Sequence, residues 1–145
     1  MDYGMRAVTV HPIDVEVIPE HLEDGVLYIC ERYQIALHRC CCGCGEEVVT
    51  PLTPAEWSLA RHGKSVSLSP SIGNWSFKCR SHYWIRQNKV VWSGGMSDKQ
   101  IQRVKESDRE AKIAYVEATN RLKAAQGIPG FLGRCWAVLR HFLGL

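Results

Sequence analysis

Cys40, Cys41, Cys42 and Cys44 fall within five residues, and Cys79 follows in a second segment dense in polar side chains. Thiolates are soft, negatively charged donors, and a zinc ion takes four such groups in a tetrahedron. The common local unit keeps two or more residues between its cysteines; here the spacing is the tighter Cys40-x-Cys42-x-Cys44. One turn can offer these thiols to a single ion only if Gly43 and Gly45 bend the backbone sharply. Cys79 is the natural ligand from afar. Cys40, Cys42, Cys44 and Cys79 are therefore the candidate metal set, with His38 or His82 as the imidazole that could otherwise complete it. The spacing fits neither an iron–sulfur signature nor an isolated Cys-x-x-Cys redox pair. Cys30 and Cys135, alone in apolar settings, read as small buried hydrophobes, and so does Cys41 between the candidate ligands.

A second constellation surrounds Cys79. Leu68-Ser69-Pro70-Ser71-Ile72-Gly73-Asn74-Trp75 is a dense loop in which Pro70 and Gly73 constrain the backbone on either side of Ser71. Cys79-Arg80-Ser81-His82-Tyr83-Trp84 follows, so a metal on Cys79 would pin the chain three residues from His82. A serine nucleophile needs a base within hydrogen-bond reach and donors for the developing oxyanion. Ser71 and His82 supply the first two roles; Asn74, or backbone amides near Gly73, supply the third. Glu46 or Glu47 could orient His82 or activate a metal-bound water. Neither G-x-S-x-G nor H-E-x-x-H occurs, so no standard hydrolase elbow or zincin helix is present.

The elements that must hold these residues read as short strands followed by helix. Ile13 to Ile18, Val26 to Cys30, Tyr33 to His38, and Val48-Val49 suit adjacent antiparallel strands. Thr53-Pro54-Ala55-Glu56 has the form of a capping box and predicts a short helix reaching about Arg61. Ser65 to Ser69 alternates as a strand, and Tyr83 to Arg86 and Val90 to Trp92 flank Gln87-Asn88-Lys89 as a tight hairpin. A second capping box at Ser97 and Gln100 opens a helix to about Ala125. Its seam is Ile101, Val104, Asp108, Ala111, Tyr115, Ala118, Leu122 and Ala125, which suits packing on the domain's own sheet or a homodimer seam. The expected class is α+β: a β-rich metal domain over 1–96, a long helix over 97–126 and an apolar amphipathic tail helix over 127–145. The tail, from Phe131, is too short to span a membrane and suits docking onto this chain, a sister chain, a partner or a membrane surface.

With 145 residues, the chain can bury roughly 68–70% of its unfolded surface and needs no covalent staples. An odd count of seven cysteines, four of them crowded together, argues against a disulfide framework. No secretory leader and no spanning apolar run is read, so the expected compartment is the reducing cytoplasm. A net charge of +3 without a Lys/Arg block gives no basis for a nucleic-acid partner.

Cys40-Cys41-Cys42-Gly43-Cys44-Gly45, Val48-Val49-Thr50-Pro51-Leu52, Ser67 to Trp75, and Cys79-x-Ser81-His82-Tyr83-Trp84-Ile85 together resemble a small bacterial family. That family was first catalogued as a domain of unknown function. Its members are encoded beside ubiquitin-like proteins and their E1- and E2-type enzymes in operons linked to phage defence. The resemblance covers residues 13 to 110. It implies a peptidase, serine-type favoured, that processes or removes the ubiquitin-like protein. It places Ser71 and His82 as catalytic residues and Cys40, Cys42, Cys44 and Cys79 as metal ligands. Cys41 departs from the pattern, where a proline often stands. Two other functions fit the residues: a non-catalytic zinc adaptor in the conjugation system, and a metallopeptidase whose zinc activates water.

Overall fold

Residues 6–127 are described by the computed structural model, and in it the alternating segments become two four-stranded sheets. The first sheet holds β1 (His11–Asp14), β2 (Val26–Cys30), β3 (Ile35–Arg39) and β4 (Glu47–Pro51), in that order. The second holds β5 (Ser58–His62), β6 (Ser65–Gly73), β7 (His82–Arg86) and β8 (Lys89–Trp92), also in order and antiparallel throughout. A single long helix, α1 (Asp98–Gly127), follows. The class is α+β, as the pattern indicates. The tail helix expected over 127–145, Cys135 included, lies outside the described residues apart from Gly127.

The chain divides into two compact units, residues 1–106 and 107–145, so the break falls inside α1. The Ser97 capping box forms: the Ser97 amide and hydroxyl both reach Gln100 Oε1 at 2.9 Å. Of the seam positions, Ile101 is buried and Val104 half-buried in the first unit, and those from Asp108 on are exposed. None of the described helices is long and apolar enough to cross a membrane.

In the first unit, inward residues of both sheets make one core. Leu27, Ile29, Ala36 and Val48 meet Val66, Leu68, Ile72, Tyr83, Ile85 and Val90, and Cys40, Cys41 and Cys42 close one end. Burying such aliphatic and aromatic side chains contributes on the order of 1.5–3 kcal/mol each. The segment before β1 joins the sheets. The Val90 amide donates to the Val8 carbonyl at 2.9 Å and the Val10 amide to the Asn88 carbonyl at 2.7 Å, covering the edge of β8.

Two expectations are corrected. β1 pairs with β2 in parallel, not antiparallel. The intervening segment carries the chain back to the sheet's starting end, with Leu22 packed on Tyr28 and Leu37 and Gly25 turning at φ +76°. The second correction concerns the helix expected from Thr53 to Arg61. The local cap does form, with Thr53 Oγ1 donating to Glu56 Oε2 at 3.1 Å. It ends after one turn, because the Trp57 amide donates to the Pro51 carbonyl and Ser58–His62 pairs with β6. Five paired residues outweigh one capping box. The His62-Gly63 stop signal becomes the β5–β6 hairpin turn, with Gly63 at φ +60°.

The β7–β8 turn is a two-residue hairpin with Gln87 and Asn88 both at positive φ, 47° and 67°. Asn88 also accepts the Val66 amide on its Oδ1 at 2.8 Å. We therefore expect Asn88→Ala to cost about 2 kcal/mol in denaturant unfolding, from left-handed strain plus a lost hydrogen bond. Asn88→Gly keeps the turn and should cost about half as much. Equal losses in the two variants would show that backbone conformation is not the cause.

Candidate functional site

Parity along β6 and β7 sorts the polar residues into two groups. In a strand, successive side chains point to opposite faces. On β7 Tyr83 and Ile85 point into the core, so His82 and Trp84 face outward, and both are half-buried. On β6 Ile72 points inward, so Ser71 and Gly73 face outward. The register sets Gly73 opposite His82 and Ile72 opposite Tyr83. Between Leu68 and Ile72 the ladder shifts: β6 takes four steps where β7 takes two. This bulge lies between Leu68 and Ile72 and so includes Ser71.

On the outer face, Ser71 Oγ lies 2.9 Å from His82 Nε2. With Nε2 as acceptor, the imidazole proton sits on Nδ1, which is buried and has no hydrogen-bond partner among the described residues. Packing holds the ring instead. Trp75 stands edge-on to His82 with ring centroids 4.9 Å apart. The same indole lies directly over Gly73, where any Cβ would overlap it. Glu46 and Glu47 are both exposed, and neither bonds to His82. The Glu46 carbonyl instead accepts the Cys40 amide at 2.8 Å.

On the inner face lies the cysteine turn. Gly43 and Gly45 adopt φ +83° and +86°, the bends that the tight cysteine spacing requires. The sulfurs of Cys40, Cys42, Cys44 and Cys79 all lie within 4.8 Å of one another. Individual separations are 3.3 Å for Cys40–Cys42, 3.9 Å for Cys40–Cys79 and 3.7 Å for Cys44–Cys79. Four sulfurs at about 2.3 Å from a tetrahedral ion stand about 3.8 Å apart, so small side-chain adjustments would bring the set onto one ion. Burial raises the thiol pKa of Cys42 and Cys44. Burial acts in the same direction on Cys79 but is outweighed by hydrogen bonds from the Ser81 side chain and backbone, which hold it below its usual value. Cys41 is outside the set: it packs in the core, and burial pushes its thiol up to about 12. His38 is also outside. Its Nε2 lies 2.8 Å from the Tyr83 hydroxyl, and burial lowers the imidazole to about 4, so it stays neutral.

Asn74 belongs to this inner group. Its amide donates to Ser81 Oγ at 2.9 Å, Tyr83 Oη at 3.4 Å and Cys40 Sγ at 3.6 Å, and not to Ser71 or His82. Ser81 Oγ stands 3.1 Å from Cys40 Sγ and 3.5 Å from Cys79 Sγ, where its hydroxyl can support thiolate charge. Ser81 and Tyr83 gained no role from sequence reasoning. For Tyr83 the available signal is parity on β7, where it alternates with His82; Ser81 lies just before that strand. The loop between the strands is closed by the Asn74 amide on the Ser81 carbonyl at 2.9 Å. Cys79 sits within that loop, so a metal would clamp the segment that leads directly into His82.

Arg6, Cys42, Cys79, Arg80, His82 and Trp92 are among the residues lining a cleft of about 240 Å³, and Ser71 is not. The family model described as bacterial ubiquitination-like system serine protease (BubE) matches residues 14–93, more than half of the chain and all of both constellations. No curated protein and no solved structure matched the chain.

The geometry predicts one metal ion per chain by elemental analysis. Cobalt substitution should give the intense visible and near-ultraviolet bands of a tetrahedral thiolate site. Cys79→Ser should weaken binding at least about tenfold, and Cys41→Ala should leave the stoichiometry unchanged. A Cys41→Ala protein that folds but loses the ion would refute the assignment of ligands.

Proposed function

The chain belongs to the bacterial ubiquitination-like system serine protease family, and from that premise we propose that it is a zinc-stabilised serine peptidase processing or deconjugating a ubiquitin-like protein. The observation that carries this reading is the 2.9 Å contact between Ser71 Oγ and His82 Nε2 on one face of the sheet. His82 takes the Ser71 proton as Oγ attacks the scissile carbonyl carbon. The tetrahedral intermediate collapses, the C–N bond breaks, and His82 returns the proton to the leaving amine. Water, activated by the same imidazole, then cleaves the acyl ester and regenerates Ser71.

Asn74 is committed to the cysteine turn, so we assign charge stabilisation to main-chain N–H groups at the bulge, that of Ser71 among them. With no carboxylate bonded to Nδ1 among the described residues, the machinery is a Ser–His dyad held by Trp75 and by strand pairing. Zinc bound to Cys40, Cys42, Cys44 and Cys79 would supply a structural cross-link. Four thiolates fill its tetrahedron and leave no position for an activated water, which supports the serine mechanism over a metallopeptidase. We place the protein in the bacterial cytoplasm, acting with a ubiquitin-like protein and its E1- and E2-type enzymes in antiviral defence.

We expect Ser71→Ala and His82→Ala each to lower kcat/KM on a ubiquitin-like precursor by at least about 10³-fold with zinc content unchanged. Retention of most activity in Ser71→Ala would remove the serine mechanism. Gly73→Ala drives Trp75 off its seat and should lower kcat about tenfold or more while the cobalt spectrum stays intact. If its kinetics match the native protein, Trp75 does not position His82.

A further inference from the structure

β6 outruns the strand beside it. β5 pairs with residues 65–69 of β6, with Ser58 opposite Ser69, and the chain before Ser58 leaves that line because the Trp57 amide turns to the Pro51 carbonyl. Beyond Ser69, Ile72 and Gly73 pair with β7 on one side, and residues 70–73 have no strand on the other among the described residues.

The direction of the backbone groups follows from the ladder. The Ser93 amide donates to the His82 carbonyl at 2.9 Å, so the main-chain polar groups of His82 point toward β8. The Asn74 amide donates to the Ser81 carbonyl, so those of Asn74 point toward β7. Gly73, opposite His82, is thus in a non-hydrogen-bonded pair, and its N–H and C=O point away from β7, into the open edge. An unpaired N–H and C=O of this kind form a template for an added strand. Two other stretches are closed to such addition: Ser65–Ser69 lies between β5 and β7, and Tyr83–Ile85 between β6 and β8.

We infer that the open edge of β6 at Pro70–Gly73 is where the peptidase seats its substrate, as an extended peptide added in line with β5 and hydrogen-bonded to Gly73 through main-chain groups. This rests on the peptidase reading of Ser71 and His82. The occupant is an extended peptide because the edge offers main-chain pairing and because Ser71 lies within it, so the added strand passes the nucleophile. Its continuation in the direction of β5 sets an antiparallel orientation to β6. Selectivity then comes in part from conformation: the substrate segment must be extended and must carry free N–H groups at alternate positions. A folded or proline-rich segment is refused.

The test uses the full chain and a peptide aldehyde built on the last eight residues of the cognate ubiquitin-like protein, whose aldehyde carbon adds Ser71 Oγ as a hemiacetal. Hydrogen exchange should slow at Gly73 once the adduct forms. N-methylation of the peptide backbone should weaken inhibition about tenfold at alternate positions and little at those between. A separate arm labels Ser71 with a fluorophosphonate, which needs no extended peptide. Labelling and adduct formation with unchanged exchange at Gly73, or with N-methyl effects lacking the two-residue period, would overturn the strand-addition inference and leave the peptidase reading in place. Failure of both reagents to modify Ser71 would overturn both.

Discussion

The pairing of β6 with β7 is the constraint on which the other features depend. It closes at Asn74 and Ser81, and its two-residue period sends alternate side chains to opposite faces. The inner face receives Asn74, Ser81 and Tyr83, whose hydrogen bonds support the cysteine turn. The outer face receives Ser71, Gly73 and His82. One backbone thus carries the four clustered thiols on one side and the Ser71–His82 pair on the other. The thiols and the dyad need not touch in order to be coupled. Only Arg80 and Ser81 separate Cys79 from His82, so the two sites share one short stretch of chain.

This arrangement explains why so small a unit invests in buried polar groups. A hydroxyl, an amide and an imidazole in the core each cost free energy unless they are satisfied. Here the Tyr83 hydroxyl meets His38, Asn74 and the Cys41 amide at 2.8, 3.4 and 3.5 Å, so one aromatic residue gathers the polar atoms of three segments. The network ties β3, the cysteine turn and the β6–β7 loop together behind the dyad. Rigidity of that kind suits an imidazole that has no hydrogen-bonded carboxylate among the described residues and is held by an indole edge and a strand register.

Much of this was legible in the residues. The cysteine set and the glycines that bend the turn follow from residue type and spacing, whereas the contact of Ser71 with His82 comes from Ser71 lying on β6 and not in a loop. The hairpin was likewise readable at Gln87-Asn88-Lys89, although the turn itself is Gln87-Asn88 and Lys89 already belongs to β8. The short helix at Thr53 was misleading because a local cap cannot report that Ser58–His62 has a strand partner waiting. The parallel pairing of β1 was hidden because alternation gives a face and not a direction. Asn74 is near Ser71 in sequence, yet it lies just past the end of β6 and its amide turns to Ser81, Tyr83 and Cys40. Ser81 and Tyr83 were overlooked for the complementary reason, being adjacent in sequence to His82 and opposite to it in space.

The central claim is that a metal on the inner face holds the dyad on the outer face in working order. It is tested most directly by the rate at which a fluorophosphonate labels Ser71 as the metal is withdrawn with a chelator, with far-ultraviolet circular dichroism followed in parallel. The account predicts that labelling slows at least about tenfold as the ion leaves while the sheet signal persists, and recovers when zinc is restored. Labelling at full rate in protein stripped of metal would contradict it.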